Sequence, residues 1–273
     1  MTETGYSVGR LTSAVHDYHV HSNYSDGRLM PEMVSGAEAA GLAAIGFADH
    51  CNVTQTSPFP EVREAYGFNL DLTYERRRAG IESLRERHDI TIYDAVEMDY
   101  RPTDEDAIAD FLDEAGFDYA IGSVHTVENR NLHDERYFGE KSQAEREAVI
   151  DTYVDRLVSL IDSELFEIAA HLDLPQRNEP LRGLFTDEHY HRIGEALEGS
   201  RTVTELNAGR YHEDYGQFHP GPEFREVLSS YDVQFVRGSD AHVPESLVAN
   251  NEAIGTADGD VVDVAESTLA NDL

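Results

Sequence analysis

The chain has 273 residues, of which 40% are hydrophobic, so it can bury a sizeable core and is not a disordered sequence. Asp and Glu number 54 against 21 Lys and Arg, a formal charge of −33, which disfavours nucleic acid and anionic membranes as partners. No apolar run approaches the roughly 18 residues of a membrane span. "MTETGYSVGR" lacks the basic start and apolar stretch of a signal peptide, so the expected location is cytoplasmic.

The acids are spread along the chain, and Lys141 is the only lysine. Such self-repulsion destabilises a compact fold in dilute buffer, and at about 1 M salt, with a Debye length of roughly 3 Å, it is screened. The composition therefore points to a salt-rich cytoplasm, as in a halophile. Cys51, the only cysteine, excludes an intrachain disulfide and reads as a small buried hydrophobe rather than a nucleophile.

In chain order, apolar or alternating runs predict strands at 13–20, 42–49, 90–100, 119–127, 166–174, 201–208 and 233–242. Between them, i, i+3, i+4 apolar spacing predicts helices at 31–41, 73–88, 104–116, 143–161, 187–199 and 221–230. Gly41, Gly116 and Gly199 stand where helix C-caps belong. This alternation indicates an α/β protein with a parallel sheet, and its unbroken rhythm indicates one barrel-like domain over 1–273 with a core of about 14–255. A last helix and an acidic end follow Pro244. Residues 52–70, the longest irregular stretch, follow a strand's C-terminal end and suit a loop over a site.

Nearly every predicted strand ends in a metal-ligand residue type: His19 and His21 with Asp26 just beyond, His50, Glu97, His125, His171, then Asp240 and His242. In parallel α/β folds the carboxyl ends of the strands share one mouth, so these residues should converge. Any one of them alone reads as a hydrogen-bonded structural residue; the whole set at successive strand ends does not. Mixed imidazoles and carboxylates suit Zn, Mn or Fe. At three or four ligands per ion the set fills two or three divalent sites, and Glu97 can bridge two ions where a single imidazole cannot. His16, His88, His133, His189 and His191 do not share the placement. His212 and His219, in the loop after "ELNAGR", are candidate substrate contacts.

With "DYHVHSNYSDG", "FADH", "EMDY", "GSVHT", "AAHLDL" and "GSDAH" in this order, the sequence resembles the PHP (polymerase and histidinol phosphatase) superfamily along nearly its whole length. The resemblance implies a distorted (β/α)7 TIM-like barrel carrying up to three ions. It implies one ion on His19, His21, Glu97 and Asp240, a second on Glu97, His125 and His171, and a third on Asp26, His50 and His242. "VEMDY", "IGSVHTV", "HLDL" and "LNAGRYH" are most similar to the monofunctional histidinol-phosphatase branch, which implies that Arg210 helps hold a phosphate. A planar guanidinium is suited to that by two parallel hydrogen bonds. The expected activity is metal-dependent hydrolysis of a small phosphate ester, L-histidinol phosphate first among them. Glu97 is expected beside the attacking water, and Asp240 or a bound water is the candidate proton donor to the leaving alkoxide. The alternatives are a phosphoesterase for a nucleotide or sugar phosphate and a non-catalytic metal-binding module.

Overall fold

The computed structural model describes residues 15–54, 63 and 65–257. Among them, seven strands form one parallel sheet in sequence order: β1 (His16–Val20), β2 (Ala44–Cys51), β3 (Thr91–Asp99), β4 (Tyr119–Ser123), β7 (Ile168–Ala169), β8 (Val203–Asn207) and β9 (Phe235–Gly238). A two-stranded hairpin, β5 (Thr126–Val127) with β6 (Arg130–Asn131), branches off after β4. The sheet nearly closes on itself: Val20 bridges Ala241 in parallel, and the His21 amide donates to the Ala241 carbonyl at 2.9 Å. Helices α1 (Met30–Ala39), α2 (Leu70–Arg85), α3 (Glu105–Ala115), α4 (Glu135–Gly139), α5 (Gln143–Asp162), α6 (Asp187–Glu198), α7 (Pro222–Leu228) and α8 (Pro244–Thr256) are interleaved with the strands. The architecture is a (β/α)7 TIM-like barrel in a single domain.

Local chemistry sets the element ends. Ser142 caps α5 in a reciprocal box with Glu145, and Pro31 stands in the first turn of α1. Gly116 ends α3 in the left-handed region, while Gly199 ends α6 with ordinary right-handed geometry, and Gly41, at φ 73°, lies one residue past the C-cap of α1. Several strands are shorter than the sequence predicts, β7 and β9 most of all. β7 keeps two residues of the run 166–174, and β9 four of 233–242, because the chain leaves the sheet to place side chains at the mouth. Of the loop predicted at 52–70, residues 55–62 and 64 lie outside the described residues, as does the acidic end after 257.

Strand alternation builds the barrel interior in layers. Tyr18, Ala48, Ala95, Ile121, Ile168, Val203 and Val236 form one apolar layer, with one residue from each strand. Two positions on, toward the C-terminal ends, the same faces carry His50, Glu97, Glu205 and Gly238. In β1 the register shifts between Asp17 and Val20, and this irregularity is what lets Tyr18 join the apolar layer while His19 joins the polar one. Opposite faces point outward: Ile45 and Phe47 of β2 pack in a second apolar cluster with Met33 and Ala37 of α1.

Candidate metal centre

Glu97 is the hub. Its carboxylate is 1% exposed, and five imidazoles reach it: His50 Nδ1 at 2.7 Å, His171 Nε2 at 3.1 Å, His125 Nε2 at 3.3 Å, His19 Nε2 at 3.5 Å and His21 Nε2 at 3.7 Å. Asp240 Oδ1 lies 3.2 Å from His21 Nε2, and Asp26 joins from the loop after β1, 3.3 Å from His242 Nε2 and 3.8 Å from His50 Nε2. All nine strand-end residues singled out in the sequence thus lie in one connected group. Three subsets bring a donor atom from each member within 4.8 Å of the others: His19, His21 and Glu97; His50, Glu97 and His125; and His21, Asp26, His50 and His242. His21 and His50 each belong to two subsets, so the grouping is more interwoven than the three separate ligand sets of the sequence expectation.

The donor set fits divalent cations. His19 Nδ1 is committed to Glu205 at 2.9 Å, so its Nε2 is the inward-facing nitrogen, 3.1 Å from His21 Nε2. Glu97 Oε2 and His171 Nδ1 are buried without a well-formed hydrogen bond. Two imidazole nitrogens facing each other beside an unsatisfied carboxylate oxygen make a cavity for a cation with nitrogen and oxygen ligands.

The charge states follow from the packing. Burial opposes ionisation of Glu97, but His50, His125 and His19 hold its pKa well below the carboxylate range. Burial would likewise lower His19, yet Glu205 and Glu97 hold it well above the usual imidazole value, and Asp99 and Glu97 do the same for His125. His21, buried and facing His242 and His50, falls to about 4. His242 rises to about 9, because its bond to Asp26 outweighs burial. Asp240 is kept well below its ordinary value, against burial, by His21, His19 and Arg177. A carboxylate held ionised beside these imidazoles is suited to cation binding.

Two ligand-type residues, His171 (φ 26°) and Asp240 (φ 52°), occupy the left-handed region that non-glycine residues rarely enter. The surrounding structure holds them there: the His171 amide donates to Glu205 Oε1 and the Asp240 amide to the His19 carbonyl. Glu205 therefore fixes both His19 and His171, and Gly238 makes room for it, since a Cβ there would sit 2.0 Å from Glu205 Oε2. Asp99 supports His125 in the same way, at 2.9 Å from Nδ1. The sequence reading missed both carboxylates. Their signal was phase: Glu205 alternates with Val203, and Asp99 with Glu97, on inward faces.

The group opens into a cavity of about 780 Å³. Arg210 lines it, its guanidinium paired with Glu213. Arg177 lines it too, with Nη2 3.2 Å from Asp240 Oδ2, and was not singled out from the sequence. Tyr66 and Phe68 from the described part of the 52–70 loop form part of the wall, with the Phe68 ring 4.5 Å from that of His50. His133 also reaches the cavity. The two loop histidines divide differently: His212 meets the Ala249 carbonyl on the surface, and His219 is fully buried, so neither lines the cavity. Cys51 is buried, and burial with the nearby Asp71 pushes its thiol pKa up, as expected of a hydrophobe and not of a nucleophile.

The PHP domain profile matches residues 17–209, most of the described barrel. The chain belongs to the PHP domain family. Within that family it is 25% identical over 220 residues to a Deinococcus radiodurans protein described as "Probable histidinol-phosphatase", covering 78% of this chain and 80% of the relative. The PHP barrel also superposes on that of HisK from Listeria monocytogenes, with a TM-score of 0.71 and 19% identity over 85% of this chain and 96% of the other. HisK from Lactococcus lactis, a histidinol phosphate phosphatase solved with Zn, L-histidinol and phosphate, gives a TM-score of 0.71 and 20% identity over 88% and 92% of the two chains. No helix among the described residues is long and apolar enough to cross a membrane.

Proposed function

We propose that this PHP protein is a metal-dependent phosphomonoesterase that hydrolyses L-histidinol phosphate to L-histidinol and phosphate. The observation that carries the reading is Glu97, a buried carboxylate ringed by five imidazoles at the floor of a cavity that two arginines also line. His19, His21, Glu97 and Asp240 would hold one divalent ion, Glu97, His125 and His171 a second, and Asp26, His50 and His242 a third. When bound, such ions acidify water and neutralise charge on a phosphoryl group.

The chain's own residues supply the rest. Arg210 and Arg177 offer fixed guanidinium charge to phosphate oxygens, and exchanging Glu213 for phosphate on Arg210 keeps that cation paired. Arg177, whose side chain is 9% exposed, is shielded from bulk water, which strengthens its pairing with an anion. The volume exceeds what a phosphate alone needs and leaves room for an organic leaving group. The descriptions of the Deinococcus and Lactococcus relatives support histidinol as that group.

A substrate panel in molar KCl with added Zn or Mn tests the assignment: L-histidinol phosphate, p-nitrophenyl phosphate and a mononucleotide. Turnover of histidinol phosphate far above the other two is expected. Turnover of the others without it would leave a phosphoesterase of different specificity, and silence on all three would leave a metal-binding module.

A further inference from the structure

Among the described residues His219 belongs to no metal cluster and does not line the cavity, yet both its backbone and its ring are held in place. It is fully buried, and its backbone is clamped to the end of β8 by paired hydrogen bonds with Asn207, of 2.9 and 2.8 Å. Its ring stacks on Tyr215 at 4.6 Å and 8°. Nδ1 meets Asp173 Oδ1 at 2.5 Å, and Arg177 Nε lies 2.8 Å from Nε2. An arginine Nε–H can only donate, so Nε2 must be the accepting nitrogen and the ring proton must sit on Nδ1, donated to Asp173. Burial lowers the imidazolium pKa to about 4, with Asp173 opposing and Arg177 reinforcing, which keeps the ring neutral and able to accept.

Arg177 is thereby gripped on one side. Nε is spent on His219, and Nη2 on Asn207 Oδ1 and Asp240 Oδ2, both at 3.2 Å. Among the described residues Nη1 has no hydrogen-bond acceptor, and the side chain lines the cavity.

We propose that His219, with its tautomer set by Asp173, is a positioning residue that fixes the Arg177 guanidinium so that its uncommitted Nη1 side is presented to a phosphoryl oxygen. The inference rests on the reading that this cavity takes a phosphate ester. His219 acts only through Arg177, and its contribution is to hold the fork in one orientation before substrate arrives.

Three variants test it. His219→Phe keeps a flat ring beneath Tyr215 and removes the acceptor, His219→Gln keeps an acceptor near the Nε2 position, and Asp173→Asn keeps the shape while no longer dictating the tautomer. The readouts are the inhibition constant of inorganic phosphate, KM and kcat on p-nitrophenyl phosphate, bound metal and circular dichroism. His219→Phe should raise KM and the phosphate inhibition constant about tenfold, the size of one lost charge-assisted hydrogen bond. Metal content should hold, and kcat should fall by less than about threefold. His219→Gln should recover most of the loss, and Asp173→Asn should shift in the direction of His219→Phe. An unchanged phosphate constant in His219→Phe, or equal impairment in His219→Gln, would overturn the proposal and leave the ring a packing element. If His219→Phe does not fold, His219→Gln and Asp173→Asn decide: parental phosphate constants in Asp173→Asn overturn it. A parent that neither binds phosphate nor hydrolyses any ester would defeat the phosphoesterase reading itself, and this inference with it.

Discussion

Glu205 decides which nitrogen of His19 faces the cavity, by taking Nδ1 at 2.9 Å, and it holds the backbone of His171 at 3.0 Å with its other oxygen. Glu205→Gln keeps the volume but loses the charge that pins the imidazole. Outer-shell partners of this kind typically contribute about 10–100-fold in metal affinity, and Glu205→Gln should lose that much Zn affinity in a chelator competition. Parental affinity would show that His19 is set by something else. The imidazoles also give metal binding a pH dependence of definite sign. With pKa values raised in the metal-free protein, His242 to about 9 and His19 and His125 well above their ordinary value, these rings hold their protons to higher pH than a free imidazole does. An ion must displace those protons, so affinity should strengthen as pH rises from 6 to 9, and calorimetry in buffers of different ionisation enthalpy should show proton release on loading. No release would contradict the charge states. In the metal-free protein the same raised pKa makes the His242–Asp26 pair stabilising below about 6.5, and that contribution fades as pH climbs through about 9.

Adjacent residues of one strand serve opposite sides of the barrel wall. On β2, His50 turns in to Glu97, and Asp49 turns out to the fully buried Arg77 of α2, at 2.9 Å. Asp49 also accepts from the Ser22 amide and from the hydroxyls of Ser22 and Ser25, and so ties down the loop that carries Asp26. Arg77 reaches Asp94 of β3 as well, at 2.7 Å. Arg77→Met would strand buried carboxylates and should cost about 3–5 kcal/mol in urea unfolding at pH 7. A loss under about 0.5 kcal/mol would show that the pairing is compensated. At this scale the sequence was legible wherever periodicity carried the information: the strand-helix order, the barrel and the nine strand-end residues follow from alternation and from ends that share one mouth. What it hid depends on contacts between distant segments. The left-handed backbone at His171 and Asp240, the early exits from β7 and β9, and the pairing of Arg77 with two strands come from tertiary packing, which no local pattern encodes. Arg177 was missed for a related reason: it sits in a 3₁₀ turn, Leu174–Arg177, after the ligand-bearing run and reaches the cavity only through the fold.

The whole molecule carries a formal −33, with its acids spread along the chain. Repulsion spread over such a surface is long-ranged in dilute buffer and shrinks to about 3 Å in 1 M salt. The melting temperature should therefore rise from low-salt buffer to molar KCl, and equal values in both would refute a salt-adapted surface. Within that frame the central claim is that Glu97 and its ring of histidines form a metal centre that hydrolyses a phosphate ester. The most direct test is phosphate release from L-histidinol phosphate by chelator-stripped protein, reloaded with Zn or Mn, with parent and Glu97→Gln side by side in molar KCl. Turnover should appear only on reloading and fall by at least about a hundredfold in Glu97→Gln. Equal turnover by the stripped protein, or by Glu97→Gln, would contradict the account.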